Sequence, residues 1–248
     1  MSNYLMSDFY RLIRMKVVYI LVIGSIGLMG MLAVILKIFK EQNASFSYAT
    51  ASFYYGNVLG LALLLLFMAF MFTSFLTRKN QNMIGQAISF GYSRKQIFWS
   101  KFLLQLSLFS LFCLAATLLL IGLGQTLLAH EDQVLRNFLL ALSNMAPIIL
   151  AGFCVSYILN LLSVRETFSI FFLLVVFNLI GKLGLVVFKA FPELKFLNNY
   201  FPNVLLNNNL SDFMGLSVRF DGTMWAVGLG IAVISLVIGS YQFNKKDI

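Results

Sequence analysis

Six apolar runs, at residues 17–39, 53–76, 102–128, 138–162, 168–188 and 224–243, dominate this 248-residue chain, and none contains an aspartate or a glutamate. Each meets the ~20 residues that a helix needs to cross a bilayer. No open sheet edge or lipid-exposed loop crosses hydrocarbon, because its backbone polar groups would be stranded there. The first run is too long for a signal peptide, and no small-residue cleavage site follows it, so it reads as an uncleaved span. The expectation is an all-α integral membrane protein with six transmembrane helices in a single domain over 1–248. Composition agrees: 60% of residues are hydrophobic and 11% charged, where soluble domains run at ~45–50% and ~25%. No room is left for a sizeable soluble catalytic domain.

Lysine and arginine set the orientation. With the N-terminus inside, the inner segments carry Arg11, Arg14, Lys16, Arg78, Lys79, Arg94, Lys95, Lys101, Arg165, Lys245 and Lys246. The outer segments carry only Lys37, Lys40, Arg136, Lys189, Lys195 and Arg219. Of the acids, Asp8, Glu166 and Asp247 are inside and the remainder outside. Both termini are therefore expected in the cytoplasm, as in a multi-pass plasma-membrane protein. The net charge of +9 reads as topology signal and contact with anionic lipid, with no nucleic-acid partner.

Before the first run, Leu5, Phe9, Leu12 and Ile13 recur at helical spacing opposite Asp8, Arg11 and Arg14. Residues 1–16 are thus expected to form an amphipathic interfacial helix, or else a polar tail. Segment 189–223 contains Pro192, Pro202 and three consecutive asparagines at 207–209; it is expected to form short helices or a re-entrant turn on the outer side. Gly56 and Gly60 make a small-residue pair in the second run, suited first to helix packing and second to a dimer contact.

Catalytic groups are scarce. The single histidine, His130, sits in a short outer loop, and one histidine cannot build a zinc site. Cys113 and Cys154 lie inside apolar runs, where a cysteine packs as a small hydrophobe. No phosphate-binding GxxxxGK[ST] loop occurs. The chain is read as a non-enzyme that binds no cofactor of its own, so any ATP it depends on must be hydrolysed by another subunit.

Segment 77–101, TRKNQNMIGQAISFGYSRKQIFWSK, stands apart with five basic residues and no acid. Ser93 can cap a helix running through Ile97 and Phe98 into the third run, and Gly91 permits a sharp turn before it. Met83, Ile84, Ala87, Ile88 and Phe90 supply apolar content that a merely solvated loop does not need. Two readings stay open: a segment lying on anionic lipid, or a docking surface for a cytoplasmic protein.

On these residues the chain resembles the membrane permease subunit of a type-2 ABC exporter. In that family an interfacial elbow helix precedes span one. The loop between spans two and three carries a coupling helix with a Gly-x-Ser-Arg-x-x-Ile/Phe-x-x-x-Lys pattern, matched here by Gly91, Ser93, Arg94, Ile97, Phe98 and Lys101. The ending Phe243-Asn244-Lys245-Lys246-Asp247-Ile248 and the outer Tyr200-Phe201-Pro202 are also similar. Many members carry a glutamate at the start of that loop, where this chain has Thr77-Arg78-Lys79. The wording Phe90-Gly91-Tyr92-Ser93-Arg94 is similar to Gram-positive permeases of the bacteriocin-immunity and peptide-efflux kind. The resemblance implies a second permease subunit, identical or homologous, and an ABC ATPase that binds ATP and magnesium. It assigns ATPase coupling to Gly91, Tyr92, Ser93, Arg94, Lys95, Ile97, Phe98 and Lys101. Arg94 and Lys95 would pair with carboxylates, and Ile97 and Phe98 would give an apolar anchor.

For a substrate pathway the candidates are Asn178, Lys182, Asn144 and Gln105, four of the polar side chains within the apolar runs. Asn178 and Lys182 share one face of the fifth run, where Lys182 either snorkels outward, pairs with a polar group or touches substrate. Asn144 and Pro147 suggest a kink in the fourth run. A membrane sensor or assembly scaffold using the same basic loop is the rival reading, and a small channel the third.

Overall fold

The computed structural model describes residues 6, 9–10, 14–43, 45–77, 81–129 and 133–245. It is an all-α bundle: α1 (Lys16–Gln42), α2 (Ala51–Gly60), α3 (Ala62–Thr77), α4 (Gln81–Ser89), α5 (Arg94–Leu127), α6 (Val134–Leu161), α7 (Glu166–Leu174), α8 (Ile180–Ala190), α9 (Pro202–Met214) and α10 (Gly222–Lys245). Five helical stretches are long and apolar enough to cross a membrane, or six if the bent pair α2–α3 counts as one. The chain is a multi-pass membrane protein by helix length and hydropathy. Most of the elbow pattern, Leu5, Asp8, Arg11, Leu12 and Ile13, lies outside the described residues, as does His130.

α6 is the hub. Two thirds (67%) of its most apolar stretch is buried, against 22% in α5, α7–α8 and α10 and 11% in α1. Its closest partners are α10 and α3. The reason lies in small residues. A Cβ on Gly228 of α10 would stand 2.5 Å from the Pro147 backbone carbon of α6, and one on Gly239 would meet Ile158 at 2.5 Å. On the other side, Gly152 of α6 admits the Leu66 side chain of α3. Backbones that approach this closely gain dispersion contact that lipid cannot supply. α6 runs as one helix through Pro147.

The second apolar run is not one straight helix. It breaks after Gly60 and bends by 53°. The Gly56–Gly60 face of α2 receives Leu210, Phe213 and Met214 of α9, so the glycine pair serves packing within the chain. α2 is also pinned at its start: Thr50 accepts from Phe53 N, and Thr50 pairs with Ala129 through Ala51 N to Ala129 O (3.3 Å) and Ala129 N to Ala49 O (3.2 Å). The fifth run is likewise interrupted, by a π turn at Val175–Leu179 between α7 and α8.

Residues 189–223 form two short helices, a 3₁₀ stretch at Pro192–Tyr200 followed by α9. α9 is held between α2, α6, α8 and α10. Asn203 at its start accepts from Gly181 N of α8 at 3.1 Å, where any larger residue at 181 would strike the amide.

Gly228→Val should destabilise the detergent-solubilised protein by about 1–3 kcal/mol or more, because backbone carbons cannot step aside as side chains do. Gly230→Val carries the same helix-propensity cost in open space. Thermal unfolding of both variants checks this, and equal losses would refute the close-approach account of the α6–α10 seam.

Candidate functional site

The loop singled out from sequence folds as two helices joined by four residues, Phe90 to Ser93. α4 ends in a left-handed turn at Gly91 (φ +87), with Tyr92 N donating to Ala87 O and Gly91 N to Ile88 O. This paired closure is the Schellman arrangement, which satisfies the last carbonyls of a helix and favours glycine at that position. One residue later Ser93 caps α5: its Oγ accepts from Gln96 N (3.3 Å) while the Gln96 side chain accepts from Ser93 N (3.1 Å). Stop and start signals therefore abut, and the junction has little freedom to straighten.

Its side chains divide by burial. Ile84 and Ala87 face inward on α4, while Phe90 at the tip is 83% exposed. Gly91, Ser93 and Lys95 are exposed, and Tyr92 and Arg94 half-buried. Ile97 and Phe98 are 0% and 1% exposed. Phe98 packs edge-on against Tyr157 and lies near Phe243, and its carbonyl accepts from the Tyr157 hydroxyl at 2.7 Å. Side chains sealed inside their own chain have no surface for a partner, so the anchor role expected of Ile97 and Phe98 is corrected. Lys101, 3% exposed, is likewise no surface contact. The Arg94 guanidinium donates to Asn244 O at 2.9 Å, gripping the carbonyl end of α10, where a cation also suits the helix dipole.

Just beneath the junction lies a buried polar layer. Gln105 of α5 and Thr77 of α3 exchange hydrogen bonds, the amide donating at 3.0 Å. Asn160 of α6 donates to Thr73 of α3 at 2.9 Å, and Ser74 donates to Glu166 of α7 at 3.4 Å. Four helices, α3, α5, α6 and α7, are thus tied together. The sequence showed the signal without its meaning: Thr73 and Thr77, Lys101 and Gln105, and Ser156 and Asn160 are each spaced i, i+4 within or at the edge of an apolar run.

A second polar tie closes the opposite end. Asn144 of α6 donates to Arg219 O (2.8 Å) and to Asn209 Oδ1 (3.3 Å), and accepts from Asp221 N (3.0 Å). Asn209 in turn donates to Ala141 O at 2.9 Å. Asn144 and Gln105 are each 2% exposed with their amides engaged, so they are structural ties at opposite ends of the bundle. Asn178 is half-buried in the π turn and Lys182 exposed on α8. The four substrate-pathway candidates do not converge on one place. Asn209, Tyr157 and Asn160 were missed by sequence reading. Among the described residues, no three of His, Cys, Asp and Glu stand together as a metal site.

Tyr157→Phe keeps the ring but removes the hydroxyl's buried hydrogen bond to the Phe98 carbonyl, and should cost about 0.6–2 kcal/mol. Tyr241→Phe removes an exposed hydroxyl bonded to Lys245 and should stay within about 0.5 kcal/mol. Thermal unfolding in one detergent compares them, and an effect of Tyr157→Phe no larger than that of Tyr241→Phe would overturn the tie.

No protein-family model matches the chain, and no curated protein or solved structure matches it.

Proposed function

We propose that this chain is the membrane-spanning subunit of an ATP-driven exporter of the type-2 ABC kind, with both termini in the cytoplasm. It would move a hydrophobic or amphipathic substrate, such as an antimicrobial peptide, out of the membrane or cell. A separate ABC ATPase hydrolyses ATP with magnesium, and a second permease subunit completes the membrane part. The observation that carries this reading is the α4–Gly91–α5 junction: an 83% exposed phenylalanine on a turn locked from both sides, joined directly to the span helices.

A large aromatic held out in water is costly unless something covers it, and a central aromatic seated in a pocket is the commonest source of docking energy. In this reading Phe90 is the apolar anchor and Lys95 the charge that meets a carboxylate, while Arg94 holds the junction to α10. Force applied at Phe90 passes into α5, and through the polar layer into α3, α6 and α7. Such a site needs two arrangements of the membrane helices for ATP to bias. A sensor or scaffold docking a non-ATPase partner would use the same surface.

Purification from membranes in mild detergent, followed by an ATPase assay of what co-elutes, tests the proposal. An ABC ATPase should co-elute in stoichiometric amount. Phe90→Ala should weaken its docking by ~2 kcal/mol or more, roughly thirtyfold, and Lys95→Glu should weaken it further, with thermal stability unchanged. Elution alone or with a non-ATPase partner would reject the exporter reading.

A further inference from the structure

Away from the junction, α1, α2, α3, α5, α6 and α10 line an open-sided cavity of about 650 Å³. The size lies within the ~300–1,000 Å³ of ordinary ligand sites. Its floor is made by the buried side chains of Phe112, Leu120 and Met145. Its rim carries Leu118, Leu139 and Leu229, which are 62%, 47% and 41% exposed. The lining is otherwise broken only by the hydroxyls of Ser110, Thr117 and Ser143, the thiol of Cys113 and the indole of Trp225.

Three occupants compete on physical grounds. Water needs two to four polar partners in such a space and finds too few. An empty space forfeits the dispersion contacts of every wall atom. Hydrocarbon meets neither objection. The exposed leucines at the rim belong to spanning helices, so the mouth opens sideways onto lipid tails and not onto water. Trp225 stands on the wall and sets its indole beside whatever fills the space.

We propose that this cavity is a binding site for one acyl chain of a membrane lipid, entering between the rim leucines. The site is built within one chain and stands independently of the transport reading. Bound there, the chain completes the packing among α5, α6 and α10 that the protein's own side chains leave open.

The chain has two tryptophans, and Trp99 is far along α5 from the cavity mouth, so Trp99→Phe leaves Trp225 as sole reporter. Dibromostearic acid, whose bromines quench indole only on contact, is titrated into this variant in a non-brominated detergent. The proposal expects a saturable phase of quenching, lost when Ala146→Phe or Thr117→Phe fills the cavity in protein that still elutes as a sharp peak. Two fillings on different helices guard against one variant failing to fold. Quenching that rises without saturation, or a saturable phase that persists in both filled variants, would overturn the site. So would a Trp225 that stays unquenched in a chain eluting as a dimer, since a second copy would then cover the mouth.

Discussion

In hydrocarbon, packing leucine on leucine gains little over packing leucine on lipid, so close backbone approach and interhelical hydrogen bonds must hold a bundle together. Both converge on α6. Gly228 and Gly239 let α10 lie against it, Gly152 lets α3 do so, and asparagines at 144 and 160 fasten its two ends. Helices that touch α6 little, α1 above all, spend their leucines on lipid. The hub explains why a helix that carries asparagines at 144 and 160 is the most buried of the long apolar helices: their amides have partners inside the bundle.

The junction depends on this hub. α5 is a continuous helix of 34 residues, about 50 Å at 1.5 Å per residue, and it begins at the capping box. Its first turn is bonded to α6 through Tyr157 and to the end of α10 through Arg94. A displacement at Phe90 is therefore shared among helices and does not dissipate in a loose loop. The same stiffness explains why Ile97 and Phe98 are inside: they are the parts of α5 that hold the junction to the bundle.

What the sequence made legible follows the strength of each local signal. The spanning runs were plain because a long acid-free apolar stretch has few other uses. Gly91 and Ser93 were read as turn and cap from residue type alone, and the structure has both. The break at Gly60 was hidden, since the run from 53 to 76 is apolar on either side and the bend appears only with α9 pressed on Gly56 and Gly60. Ile97 and Phe98 were misassigned because an apolar residue at a helix start looks the same whether it faces a partner or Tyr157. Asn144 and Gln105 were visible as polar residues in apolar runs, but their partners lie far along the chain, at 209, 219, 221 and 77. Only the tertiary arrangement could tell a tie from a pathway.

The central claim is that the Phe90 tip faces the cytoplasm and is covered there by a partner. Replacing Cys113 and Cys154 by alanine and introducing Phe90→Cys allows labelling with a membrane-impermeant maleimide in vesicles of each orientation. The account predicts labelling only in inside-out vesicles, and more of it after peripheral proteins are stripped away. Labelling in right-side-out vesicles, or labelling unchanged by stripping, would contradict it.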